Sequence, residues 1–116
     1  MDLTGQVCSE SIGVKQYSGT GGAMDFAYGA LHSKGGRGIL AFTSTAKHGE
    51  SKIRCMLTPG ANVSIPRSYV DYIVTEYGVA RLRGKMVCER VEALIAIAHP
   101  DYRAELRKQA QELLPI

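Results

Sequence analysis

The sequence predicts an α/β fold, an open mixed or parallel sheet flanked by helices, on three observations. The run "ILAFT" (39–43) is continuously apolar, the mark of a strand buried on both faces. The run "YIVT" (72–75) is β-branched and aromatic, again a buried strand. Between and after them, from Ala23 and again from Val87, apolar residues recur at helical spacing. Strand and helix are therefore interspersed along the chain.

Taken in order, residues 2–7 and 14–17 read as short strands, and a glycine loop at 19–22 opens a helix from Ala23 to about His32. Its apolar positions are Met24, Phe26, Ala27, Ala30 and Leu31, and the glycines of "SKGGRG" stop it. A strand follows at 39–42, then the polar loop "AKHGES" and the alternating "KIRCML", which predicts a half-exposed strand. Pro59, Gly60 and Pro66 place turns in "TPGANVSIP", and the strand at 72–75 ends in Glu76 and a glycine turn. The sheet core thus extends to about residue 80, and helices occupy about 86–114. In the first of these, Val87, Val91, Leu94, Ile95 and Ala98 form one apolar stripe. The second has Pro100 in its first turn and repeats Tyr102, Leu106, Ala110 and Leu113.

Composition bounds the functional classes. A chain of 116 residues, 45% hydrophobic and 22% charged, is the size and balance of one globular domain. Its net charge of +3, from 14 basic and 11 acidic residues, is scattered without a block of like charges, and six Tyr and two Phe form no stacking array. Nucleic acid is therefore not the expected partner. Cys8, Cys55 and Cys88 are widely spaced and have no partner histidines at ligand spacing, so reduced thiols in a cytoplasmic protein are expected, with no metal. No apolar window reaches the length of a membrane span, and no leader pattern opens the chain. The element "DLTGQV" begins without a preceding cap or partner strand, as in a piece of a longer protein.

Ligands of open α/β sheets bind outside the carboxyl ends of the strands, and three features fall at predicted strand ends. The first is the loop Gly19–Thr20–Gly21–Gly22. A dinucleotide fingerprint would need glycine where Met24 stands, and no Walker Gly-Lys-Ser/Thr occurs. What survives is a G-x-G-G turn at a helix N-terminus, suited to an anion or a polarised carbonyl oxygen, or equally a tight turn needing glycine only for geometry. The second is Lys47, which follows the hydroxyls of "TST" and suits a phosphate or ligand amide, or is a solvated surface lysine. The third is Glu76, whose place after a buried run predicts partial desolvation and a raised pKa, the alternative being a glutamate at the rim or in an ion pair, with Arg81 or Arg83 as nearby partners. His32, His48 and His99 have no mutual spacing that would make a site.

Together "DLTGQV", "YSGTGGAMDF", "STAKHGESKI", "YIVTEYGVARLRGK" and "ALIAIAHPDYR" resemble the C-terminal part of the acetyl-CoA hydrolase/transferase family, class I CoA-transferases that include the 4-hydroxybutyrate and butyrate:acetate enzymes. The resemblance covers nearly the whole chain and implies that residues 1–116 are the C-terminal portion of the second CoA-transferase domain. It implies a reaction that moves CoA from an acyl-CoA to a small carboxylate through an enzyme glutamate, by way of a mixed anhydride and a glutamyl-CoA thioester. That glutamate lies upstream of the matched stretch; Glu10, Glu50 and Glu76 do not stand in its motif. The implied partners are acyl-CoA, the carboxylate, the remaining lobe and further copies of the chain. By the same resemblance Gly22 donates a backbone N–H to the oxyanion, Gly19 and Gly21 complete the CoA-binding turn, Lys47 contacts CoA, and Glu76 lines the acyl pocket. An acetyl-CoA hydrolase, a nucleotide- or acid-binding module, and a packing and oligomerisation domain with structural loops are the competing readings. The bulk of Met24 departs from the family pattern with no assigned role.

Overall fold

The two apolar runs lie side by side in a computed structural model, which describes all 116 residues. Ile39–Ala41 pairs in parallel with Tyr72–Thr75, Ile39 opposite Tyr72 and Ala41 opposite Val74. Gly78–Arg81 returns antiparallel beside the second of these, with Thr75 opposite Gly78. A separate two-stranded ribbon, Ser11–Ile12 with Lys15–Gln16, precedes them. In chain order the strands are β1 (Ser11–Ile12), β2 (Lys15–Gln16), β3 (Ile39–Ala41), β4 (Tyr72–Thr75) and β5 (Gly78–Arg81). The helices are α1 (Ala23–His32), α2 (Val87–Ile97) and α3 (Pro100–Leu113), with a 3-10 turn at Arg67–Tyr69. The architecture is mixed α/β with a three-stranded mixed sheet, as the sequence predicts.

The core gathers where α2 covers the sheet. Val91, Leu94, Ile95 and Ala98 are buried against Ile73, Ala80 and Leu82. At roughly 25 cal/mol per Å² of apolar surface, each of the Val, Leu and Ile side chains contributes about 1.5–3 kcal/mol. The Met86 N–H donates to the Glu89 carboxylate at 2.7 Å and starts α2. Pro100 sits in the first turn of α3, and the His99 Nδ1 accepts the Asp101 N–H at 3.2 Å. Only Leu106 and Ala110 of the α3 stripe are buried; Tyr102 is half-buried and Leu113 is exposed.

Four expectations change. Residues 2–7 form a turn rather than a strand, because the buried Asp2 carboxylate gathers it: Oδ1 accepts the N–H groups of Thr4, Gly5 and Gln6 at 2.9, 3.1 and 3.0 Å. "KIRCML" alternates in burial, Ile53 and Cys55 in and Arg54 and Met56 out, yet it makes only an isolated bridge to Asp2, since its neighbour is that turn. β3 is an edge strand rather than one buried on both faces as expected: Ile39 is 63% exposed, and only Leu40 packs, half-buried, against the core. β5 is an element that the reading of a bare glycine turn left out, whereas the strand expected at 14–17 is present as the short second arm of a ribbon.

Candidate functional site

β3 and β4 run in the same direction, so their carboxyl ends open at one end of the sheet. The chain leaves β3 into Phe42–Thr43–Ser44 and leaves β4 into Glu76, which sets Glu76 against the start of the segment that carries Lys47. Oε1 of Glu76 accepts the Ser44 N–H at 2.7 Å, across 32 positions of sequence. This hydrogen bond to Ser44 is the main reason that the Glu76 carboxyl sits below its ordinary value; the Ser44 hydroxyl and the nearby His99 pull in the same direction. The expectation of a raised pKa is therefore corrected: Glu76 is exposed at the sheet rim, and its amide partner favours the charged form. No ion pair joins it to Arg81, which instead lies 3.5 Å from Asp71.

Beyond Ser44 the chain doubles back. The Ala46 N–H donates to the Glu50 carbonyl and the Lys52 N–H to the Ser44 carbonyl, both at 2.8 Å, with Thr45 bridged to Ser51. Lys47 stands near the tip of this hairpin, exposed and without an ion pair, on the rim of a cleft of about 580 Å³ that Cys8, Tyr17, Phe42 and Lys52 also line.

The glycine loop stands outside these hydrogen bonds. It follows β2 of the separate ribbon, and no hydrogen bond ties Gly19, Gly21 or Gly22 to Lys47 or Glu76. Gly21 has φ +61°, a conformation that favours glycine, whereas Gly22 caps α1 with φ −98°. A Cβ on Gly22 would meet only the Phe26 ring, at 3.6 Å, an ordinary contact. No side chain caps the amides of the first turn, so they stay open to an acceptor. Sequence reasoning passed over Ser44 as a backbone donor and His99 as a neighbour of Glu76. The run of hydroxyls before Lys47 was the only signal of the first, and nothing local marked the second.

Similarity to known proteins gives the family. Residues 1–110 match the model of the acetyl-CoA hydrolase/transferase C-terminal domain. The chain is 56% identical over 110 residues to a 4-hydroxybutyrate coenzyme A transferase of Clostridium kluyveri, covering 94% of this chain and 26% of that protein. It is 52% identical over 114 residues to a succinyl-CoA:cyclohexane-1-carboxylate CoA transferase of Geobacter metallireducens, covering 97% and 26%. Superposed on the crystal structure of RipA from Yersinia pestis it gives a TM-score of 0.88 at 44% identity, over 100% of this chain and 26% of the other. The chain thus spans about a quarter of the length of the curated relatives it matches. It belongs to the acetyl-CoA hydrolase/transferase C-terminal domain family.

Proposed function

We propose that this family member is the C-terminal part of an acyl-CoA:carboxylate CoA-transferase of the 4-hydroxybutyrate, butyrate or acetate type, its nucleophilic glutamate supplied by sequence outside residues 1–116. Relatives at about half identity are CoA-transferases by name, and CoA and a small carboxylate are the substrates this reading implies. The glycine loop, the sheet to about residue 80 and the helices of about 86–114 then form the end of the second domain. Nucleophilic attack on a thioester puts negative charge on the former carbonyl oxygen, and a fixed N–H aimed at that oxygen lowers the barrier. Gly22 takes this role, Gly19 and Gly21 shape the turn, Lys47 meets CoA, and Glu76 lines the pocket of the acyl group or carboxylate as an anion. The open apolar surface of Phe26 and Ile39 packs against the rest of the assembled protein, and a homo-oligomer in the cytoplasm fits that reading.

One observation carries the role of Gly22: the fold does not require a glycine there. Its φ is negative and a Cβ has room, so clearance for a reactant accounts for the missing side chain. In the longer protein Gly22→Val is expected to lower kcat by about 100-fold or more. Gly22→Ala should lower kcat more than it weakens CoA binding, at unchanged Tm. Wild-type kcat in either variant refutes the assignment. CoA release without a carboxylate acceptor, at the transfer rate, would make the enzyme a hydrolase.

A further inference from the structure

Glu76 does more in this fold than line a pocket. Its Oε1 accepts the N–H of Ser44, a residue with no exposed surface, at the point where the chain leaves β3. The same residue is the root of the 44–52 hairpin, because its carbonyl accepts the Lys52 N–H at 2.8 Å. Lys52 also reaches back, its Nζ donating to Thr43 Oγ1 at 2.8 Å. At the other end the Tyr102 hydroxyl donates to the Gly49 carbonyl at 2.5 Å. The hairpin is held to the body by α3 near its tip and by Glu76 at its root, with Lys47 between the two tethers.

We infer that Glu76 is a positioning residue whose carboxylate anchors the root of the 44–52 hairpin and thereby fixes where Lys47 stands. As a statement about CoA this rests on the reading of Lys47 given above; as a statement about the hairpin it rests on the hydrogen bonds alone. An N–H to a carboxylate is stronger than one to a neutral oxygen, so the charge matters as well as the shape. Thr75, the preceding residue, is itself pinned: its Oγ1 donates to the Ile97 carbonyl at 2.6 Å and accepts the Tyr77 N–H at 3.1 Å. The carboxylate therefore projects from a fixed backbone, as an anchor must.

Amide hydrogen exchange on the chain tests this without CoA. Glu76→Ala should lower the protection of the Ala46 and Lys52 amides, neither bonded to Glu76, by about tenfold. The isosteric Glu76→Gln should lower it less, and the Ala80 and Leu94 amides should keep wild-type protection in both. Unchanged protection at Ala46 and Lys52 in both variants overturns the anchor. So does an equal loss at Ala80 and Leu94, which would make Glu76 a support of the whole fold. CoA titration of the longer protein separates the two readings. Looser hairpin amides with weaker CoA binding in Glu76→Gln support both, whereas looser amides with unchanged affinity keep the anchor and remove Lys47 from the CoA site.

Discussion

Two surfaces of the molecule are built differently. On one, α2 buries Val91, Leu94, Ile95 and Ile97 against β4 and β5, and α3 closes over it with Leu106 and Ala110. On the other, α1 has no buried residue at all, Phe26 is 81% exposed, and Ile39 of the edge strand β3 is 63% exposed. Both regions carry apolar helices and strands, so composition does not separate them. The difference teaches that the first supplies most of the chain's buried apolar surface, whereas the second leaves its apolar residues open.

Truncation offers the largest test of that contrast. Leu94→Ala empties a fully buried position and should cost about 2–5 kcal/mol in urea unfolding. Phe26→Ala, a larger truncation on α1, should change stability by no more than about 0.5 kcal/mol. Equal losses would mean that α1 shares the core, and the comparison would fail.

The glycines sharpen it next. Gly5 has φ +106°, and a Cβ there would come within 2.9 Å of the Arg90 guanidinium, which itself donates to the Thr4 carbonyl at 3.0 Å. Gly5→Ala should therefore cost about 1–3 kcal/mol of stability. Gly22→Ala on the open side should lie within about 0.5 kcal/mol of wild type. Thermal melts of both variants check the pair; a Gly22→Ala loss as large as that of Gly5→Ala would return "GTGG" to the status of a structural turn.

The smallest effect comes from pH. Glu76 has its folded carboxyl held below the ordinary value of 4.5, chiefly by the Ser44 N–H. A depressed acid contributes stability that is full above the unfolded pKa and is lost as pH falls through the folded one. Wild type should accordingly lose, below about pH 4.5, a small advantage over Glu76→Gln that it holds at pH 7. Denaturation series at both pH values measure it. A difference that grows on acidification would reverse the assigned sign. Because Glu76 is exposed, solvent screening keeps the effect modest.

Much of this was legible in the residues, element by element. The helix expected from Ala23 to about His32 has those bounds, because glycines stand at both of its ends. The α2 stripe and the Pro100 start of α3 were equally plain, since helical periodicity and proline's fixed φ are local properties. Glu76 was misjudged for the opposite reason. Its pKa depends on an amide 32 positions away, and no local pattern says whether a residue after a buried strand turns inward or to the rim. β5 was lost because "GVAR" contains little apolar surface; only pairing with β4 makes it a strand. "DLTGQV" has the composition of a strand, but its Asp2 finds five donors in its own next four residues.

The sequence by itself determined the α/β class, the three helices, the strand at 72–75 and the family resemblance, all properties of neighbouring residues or of ordered motifs. Tertiary structure alone decided which apolar faces are covered, which strand is an edge, and that Glu76 holds the hairpin bearing Lys47. Burial and hydrogen bonding between distant segments depend on which surfaces meet, and periodicity marks a face as apolar without naming what covers it.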